Sequence, residues 1–317
     1  MTKGKLQITE FINDINNRLP DTLIKLDESI KDYTTFKIGG SVSVMIFPNS
    51  ITCLTDICGI LSEHEIVPLV IGNGSNILAE DKHLDIVVIN TLKLNGISIL
   101  NNEGSVSQDY HDIEVEAGAL LSDVAVFALD EGLTGFEFAH GIPGTVGGAV
   151  MMNAGAYGGE MKDVVYSTTA YNSKDGKYLL TATDNDFSYR KSRFSDINDI
   201  IISAVIQLKM GDRNTIMNTM DELCIRRHES QPLDYPSGGS TFKRPNEGNY
   251  AASLIEQAGL RGFTVGNAQV SEKHTGFIVN KGNATFTDVM TVIEHVQNIV
   301  FKQSGINLVP EIKIIRG

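Results

Sequence analysis

Cysteine is scarce: 317 residues hold three, Cys53, Cys58 and Cys224, with no CxxC pair. An odd count without ligand spacing excludes a disulfide framework and a zinc ribbon, and a reducing cytoplasm is the expected location. Basic charge is also short, with 26 Lys and Arg against 39 Asp and Glu and a formal net charge of −13. A general nucleic-acid binder needs a basic footprint, so that class is excluded, although small anionic ligands are not. No apolar run approaches the roughly 18 residues of a membrane span, so no membrane insertion is expected. The start of the chain, from Met1 to Gln7, lacks the apolar core of a secretory signal. The seven histidines show no ligand spacing, so no metal is expected. No obligate protein partner is evident.

What is present is glycine, and it is unevenly placed. Nine of the 30 glycines fall between Gly132 and Gly159, where the chain's average would put about three. Glycine costs conformational entropy wherever it is not needed, so such density implies a backbone that turns sharply or approaches something bulky. Almost no charge accompanies it between His140 and Gly159. A buried loop around a large cofactor is expected.

Periodicity predicts an α+β chain. Helices are expected over 9–27 (with a short leader), 51–65, 121–131, 214–228 (amphipathic), 250–258 and 286–303. Strands are expected at 41–47, 66–71, 86–89, 113–116, 164–171, 178–181, 200–209 and 308–315. The strand ending at Ile71 runs into Gly72, Asn73, Gly74, Ser75 and Asn76. Such a turn can aim backbone N–H groups at phosphate oxygens, with Ser75 and Asn76 adding donors. It is neither a P-loop nor a GxGxxG fingerprint, and a plain turn is the alternative. Glycine spacing alone stops at a large phosphate-bearing cofactor.

Within and beyond these two loops, the stretches Tyr33–Gly40, Gly141–Gly148, Asn153–Gly158, Tyr189–Phe194, Ser237–Pro245, Ala268–His274 and Asn280–Ala284, with Pro310 and Glu311, occur in one order. Together they resemble the UDP-N-acetylenolpyruvoylglucosamine reductases, in the family's second, shorter form. The resemblance implies a vanillyl-alcohol-oxidase/PCMH-type FAD-binding fold of two α/β subdomains with a smaller α+β substrate-binding domain. The segments would be 20–90, completed by 307–317, then 91–212, then 213–306. It also implies bound FAD, NADPH as hydride donor and a UDP-sugar enolpyruvyl ether as substrate, reduced to UDP-N-acetylmuramate in peptidoglycan precursor synthesis.

The cofactor residues so implied are Tyr33, Thr35, Gly72, Asn73, Gly74, Ser75, Asn76, Gly141, Pro143, Gly144, Thr145, Gly147, Gly148, Asn153 and Gly155. Adding hydride to a vinyl ether carboxylate requires a proton for the adjacent carbon and stabilisation of enol-like charge. Ser240, in Gly-Gly-Ser, reads from its residues alone as a turn serine or as a hydroxyl that the unobstructing glycines present close to a substrate; the resemblance makes it the proton donor. Arg190 carries a planar fork suited to a carboxylate, which lysine lacks. Glu311 interrupts an apolar alternation, where a carboxylate is costly unless exposed, paired or functional. By resemblance, Arg190 and Glu311 complete the catalytic set, and Tyr189, Lys243, Lys273, His274 and Asn283 are substrate contacts. His140 departs from the small residue expected before Gly141. Two other readings are an oxidase on the same fold and a flavin or sugar-nucleotide sensor without catalysis.

Overall fold

The computed structural model describes residues 3–100, 110–245 and 248–317. Helices and strands mix in the expected α+β manner. The chain groups into two compact units: Met1–Leu26, Val44–Gly72 and Val87–Cys224 form the first, and Asp27–Ser43, Asn73–Ile86 and Ile225–Gly317 the second. This grouping differs from the three sequence segments, because the chain changes unit inside the strands Ser41–Phe47 and Leu84–Asn90.

In the first unit, the helix Ile51–Glu63 buries Leu54, Ile57, Cys58 and Leu61, a helical stripe packed with Phe11 and Ile15 of the helix Lys3–Arg18. Ser50 caps the former helix by accepting the Cys53 N–H at 3.1 Å. Burial pushes the Cys58 thiol up to about 12. Gly59 lies within this helix, and a Cβ built on it meets nothing within 4 Å. Gly59→Ala is therefore expected to stabilise the protein by about 0.5–1 kcal/mol, because it removes unfolded-state freedom without a clash. A denaturant melt checks this, and an unchanged or lower midpoint counts against it.

The strand Leu69–Ile71 pairs in parallel with Leu84–Asn90 and delivers Gly72 at its carboxyl end. An antiparallel sheet follows in the order Gly176–Thr181, Val165–Asn172, Ile200–Met210, Tyr110–Glu116, Ile97–Leu100. Residues 200–204 of its central strand are all buried, as expected for a strand covered on both faces. The helices Leu121–Asp130 and Val146–Met152 pack on this sheet's apolar residues.

In the second unit, the antiparallel order is Ser237–Ser240, Phe277–Asn280, Ala268–Val270, Thr264–Val265. The helix Phe286–Ser304 lays Val289, Val292, Ile293, Val296 and Val300 into that unit's core. It opens on a Thr285–Asp288 capping box and closes on Gly305 at φ +71°. The C-terminal strand Lys313–Ile315 pairs in parallel with Ile77–Ala79.

Several local expectations change. The first helix ends at Arg18, before Pro20, and Leu23–Ser29 is a strand, since a residue preceding proline disfavours helix. The strand expected from Ile66 starts at Leu69, just past Pro68, and the last strand shrinks to Lys313–Ile315 beyond Pro310. The 214–228 helix forms as Arg213–Ser230, but only Ile216 and Met220 are buried, so it is mostly polar rather than amphipathic. The glycine-dense segment is not one loop, because it contains the helix Val146–Met152.

Candidate active site

The second unit gathers residues far apart in the chain. Gly74 has φ +59°, and a Cβ there would stand 2.1 Å from the Tyr33 carbonyl oxygen. The Thr35 N–H donates to Gly74 O at 3.3 Å, and the Thr35 hydroxyl donates to Ser237 O at 2.7 Å. The Tyr33 hydroxyl donates to Glu28 at 2.7 Å. The Asn76 amide donates to Glu311 O at 3.1 Å, while Asn76 O accepts the Lys313 N–H at 2.8 Å. Asn73 and Ser75 are partly buried. The turn foreseen at 72–76 is thereby clamped between residues 33–35 and the C-terminal stretch.

Ser240 sits at a register shift between Ser237 and itself, where its strand bulges against Phe277–Asn280. The two preceding glycines have separate reasons. Gly238 packs so tightly that a Cβ would lie 3.0 Å from the Phe36 ring, whereas Gly239 has open space and φ +78°. The next residue, Thr241, is fully buried, donates its N–H to Gly276 O at 2.8 Å and accepts the Ile278 N–H on its hydroxyl at 3.1 Å. Ser240 is left exposed. The Glu311 N–H donates to Thr241 O at 2.8 Å, and Phe242 bridges Pro310. Ser240 and Glu311, 71 positions apart in the chain, thus lie on adjoining backbone.

The proposed substrate contacts separate. Lys243 is partly buried, with its N–H donated to Val309 O at 2.9 Å. The Lys273 ammonium donates to the His228 carbonyl, which commits it to the last turn of the helix Arg213–Ser230. The His274 ring accepts the Gly276 N–H on Nδ1 at 3.2 Å and stands edge-on to Phe277, and burial holds its imidazole below the ordinary range. His274 is therefore neutral near pH 7 and braces the turn whose carbonyl fixes Thr241. Asn283 lies in a left-handed turn at φ 55°, beside Lys281 and Tyr235.

In the first unit, the glycine segment is packed chiefly against the protein itself. A Cβ on Gly72 would lie 2.1 Å from Thr145 Oγ1, one on Gly147 would lie 2.9 Å from Ala117, and one on Gly155 would lie 2.6 Å from Gly159 O. Thr145 caps the helix Val146–Met152, and the Val146 and Gly147 N–H groups donate to Ala119 O and Ala117 O. Gly144 O accepts the Leu121 N–H at 3.0 Å. Fully buried Asn153 donates to Glu160 at 2.6 Å and to Ser188 O at 3.0 Å, and accepts the Lys162 N–H at 2.9 Å. Its side chain holds the loop together.

The surface left for a ligand runs along Gly141, Pro143, Gly144 and Gly148, of which Pro143 and Gly148 are exposed. A Cβ on Gly148 would meet only Thr145 Oγ1, at 3.6 Å, and would fill otherwise open space. This stretch, where three glycines add no side chain, fits a broad, flat group such as a flavin nucleotide. Beside it, the Arg190 guanidinium donates to Gly155 O at 3.0 Å and to Asn153 O at 3.5 Å, 5.3 Å over the Tyr189 ring. Arg190 has φ 53°, strain accepted inside the tight Ser188–Lys191 bridge. The sequence separates the glycine loop from Arg190; the fold joins them. His140 Nδ1 is buried with no hydrogen-bond partner among the described residues.

Comparison with known proteins agrees with this geometry. The family model for an FAD binding domain matches residues 42–182, and that for the UDP-N-acetylenolpyruvoylglucosamine reductase C-terminal domain matches 231–315. The UDP-N-acetylenolpyruvoylglucosamine reductase of Caldanaerobacter subterraneus subsp. tengcongensis is 45% identical over 305 residues, covering 96% of this chain and 98% of the relative. The chain belongs to this reductase family. The reductase of Agathobacter rectalis is 44% identical, with the same coverage of both chains. The crystal structure of the Thermus caldophilus reductase superposes with a TM-score of 0.76 at 30% identity, covering 93% of this chain and 99% of that one. Two negative features accompany the family assignment. No described helix is long and apolar enough to cross a membrane, and no cluster of metal-ligating side chains occurs among the described residues.

Proposed function

We propose that this reductase reduces the enolpyruvyl ether of UDP-N-acetylglucosamine to UDP-N-acetylmuramate, with FAD bound and NADPH as reductant. The observation that carries the assignment of roles is the exposed Ser240, whose neighbour Thr241 accepts the Glu311 N–H, in a member of this family. FAD held along Gly141–Gly148 would supply the hydride-transfer chemistry between NADPH and the substrate. The protein's own residues do the rest. Ser240 gives its hydroxyl proton to the carbon next to the one reduced and recovers a proton from solvent. Arg190 offers two N–H groups to the substrate carboxylate and so favours the enol-like charge that develops there. Glu311 orients the enol and stabilises it by hydrogen bonding.

The residues Tyr33, Thr35, Gly72, Asn73, Gly74, Ser75, Asn76, Gly141, Pro143, Gly144, Thr145, Gly147, Gly148, Asn153 and Gly155 remain the proposed FAD contacts. Among the substrate contacts, Lys243, Tyr189 and Asn283 are retained, while the Lys273 ammonium is engaged by His228 O and His274 braces the turn whose carbonyl fixes Thr241. The segments 20–90 with 307–317, 91–212 and 213–306 remain the proposed functional division. A cytoplasmic location agrees with three free cysteines, and no protein partner is required for the proposed chemistry.

The test is anaerobic. NADPH should bleach the yellow flavin, and the enolpyruvyl sugar nucleotide should restore its absorbance. Failure to restore it defeats the assignment, and recovery with oxygen alone favours an oxidase. Arg190→Lys should still load FAD and bleach with NADPH, while its reoxidation by substrate slows about 10²-fold, because a point charge cannot copy the fork. Unchanged reoxidation would remove Arg190 from the catalytic set.

A further inference from the structure

The second unit contains a concavity of about 350 Å³ in which Asn283 is the one lining residue given a role above. Lys31, Lys37 and Lys281 line it with Asn283, Tyr235 and a single carboxylate, Asp32. Three cations against one anion is an unusual local excess in a chain of net charge −13. Among the described residues none of the three ammonium groups is ion-paired. Lys37 donates only to the Asp32 backbone carbonyl, at 3.2 Å, and the Lys281 ammonium stands 3.8 Å over the Tyr235 ring.

The two cationic segments are held to one another from below. Asn280 is 3% exposed; its amide donates to Phe36 O at 3.1 Å, and its carbonyl accepts the Gly282 and Ala284 N–H groups, each at 2.9 Å. This one side chain fixes the Lys37 backbone beside the Lys281–Asn283 turn. That turn carries Gly282 at φ 120° and Asn283 at φ 55°. Like charges brought together on a fixed frame repel one another, and an anion seated among them turns that repulsion into attraction. Asn283 adds a side-chain amide donor, which phosphate oxygens can accept from.

We propose that this pocket binds a phosphate group of a nucleotide, with Lys31, Lys37 and Lys281 as its cationic wall. For the source of that phosphate the proposal rests on the reaction given above, which brings two nucleotides to the protein. One is the 2′-phosphate monoester of NADPH and the other is the diphosphate of the UDP sugar.

Calorimetric titration of the FAD-loaded protein with 2′-AMP and with UDP reads the pocket without any turnover. The double variant Lys37→Ala/Lys281→Ala should weaken binding of one of them about tenfold, the sum of two partly screened charge contacts. The control Lys174→Ala/Lys177→Ala, which removes the same charge from exposed positions outside the pocket, should leave both affinities unchanged. Loss of 2′-AMP binding assigns the pocket to the reductant, and the preference for NADPH over NADH in flavin bleaching should then fall by a similar factor. Loss of UDP binding assigns it to the substrate. Unchanged affinity for both ligands, or an equal loss in the control, overturns the proposal. Because binding is read directly, a failure of the assigned reaction would appear only in the bleaching and recovery assays.

Discussion

Ser240→Ala is expected to bleach with NADPH at the wild-type rate and then to slow about 10³-fold in reoxidation by the enolpyruvyl substrate, the usual worth of a positioned general acid. The fold should not suffer. The Ser240 side chain is exposed, and its hydroxyl makes no hydrogen bond among the described residues. The bulge is set instead by Gly239 at φ +78° and by the buried Thr241. Ser240→Cys supplies the finer test. A thiol is more acidic than an alcohol, with an ordinary pKa of about 8.5, and can still deliver a proton. Its reoxidation rate should lie between those of the alanine variant and the parent. Rapid-scan absorbance separates the two half-reactions, and a Ser240→Ala protein that reoxidised at the parental rate would take the proton-donor role away from this residue.

Gly118→Ala should produce the largest loss of stability, about 3 kcal/mol or more. A Cβ on Gly118 would lie 1.7 Å from Thr91 O and 2.8 Å from Leu94 O. Both obstacles are backbone atoms that cannot swing aside. The Thr91 N–H is held by Ile71 O at 2.9 Å, the Leu94 N–H by Thr91 O at 2.8 Å, and Leu94 O by the Gly118 N–H at 2.8 Å. The disturbance reaches Ile71, the residue before Gly72, and Ala117, on which Gly147 packs. The thermal midpoint should fall on the order of 10 °C, and FAD retention should fall with it. A circular-dichroism melt within 2 °C of the parent, on the scale of less than about 1 kcal/mol, would contradict this close approach.

Gly118 shows where a glycine-based inference runs out. A lone Gly beside Ala117 and Ala119 carries no signal in the sequence, whereas the cluster at 132–159 draws the eye. Yet Gly72, Gly147 and Gly155 owe their identity to close approaches within the protein, as Gly118 does. Composition reports that the backbone comes close to something; it does not say to what. Helix and strand positions were largely legible because burial imposes periods of 3.6 and 2, as in Ile51–Glu63 and Ser41–Phe47. The helix Val146–Met152 was hidden because glycine weakens the helical signal, and the Thr145 cap and the Ala117 contact override that preference. Lys273 was legible as a charged residue in a family motif, but its commitment to His228 O was not.

The sequence by itself determined the α+β class, most element positions, the family and the residue types a proton-donating, carboxylate-binding reductase requires. These depend on local spacing and on the order of motifs, which the chain carries in one dimension. Only the tertiary structure decided that residues 241–243 lie along 309–311, so that Ser240 comes beside Glu311. It also decided that Arg190 docks on the carbonyls of the glycine segment, and that Asn280 holds two lysine-bearing turns around one concavity. The first is a pairing of backbone groups between distant segments, and the other two set a side chain on a distant backbone carbonyl. Hydrogen-bonding capacity is identical at nearly every residue, so the choice of partner follows from how the cores pack and leaves no mark on local composition.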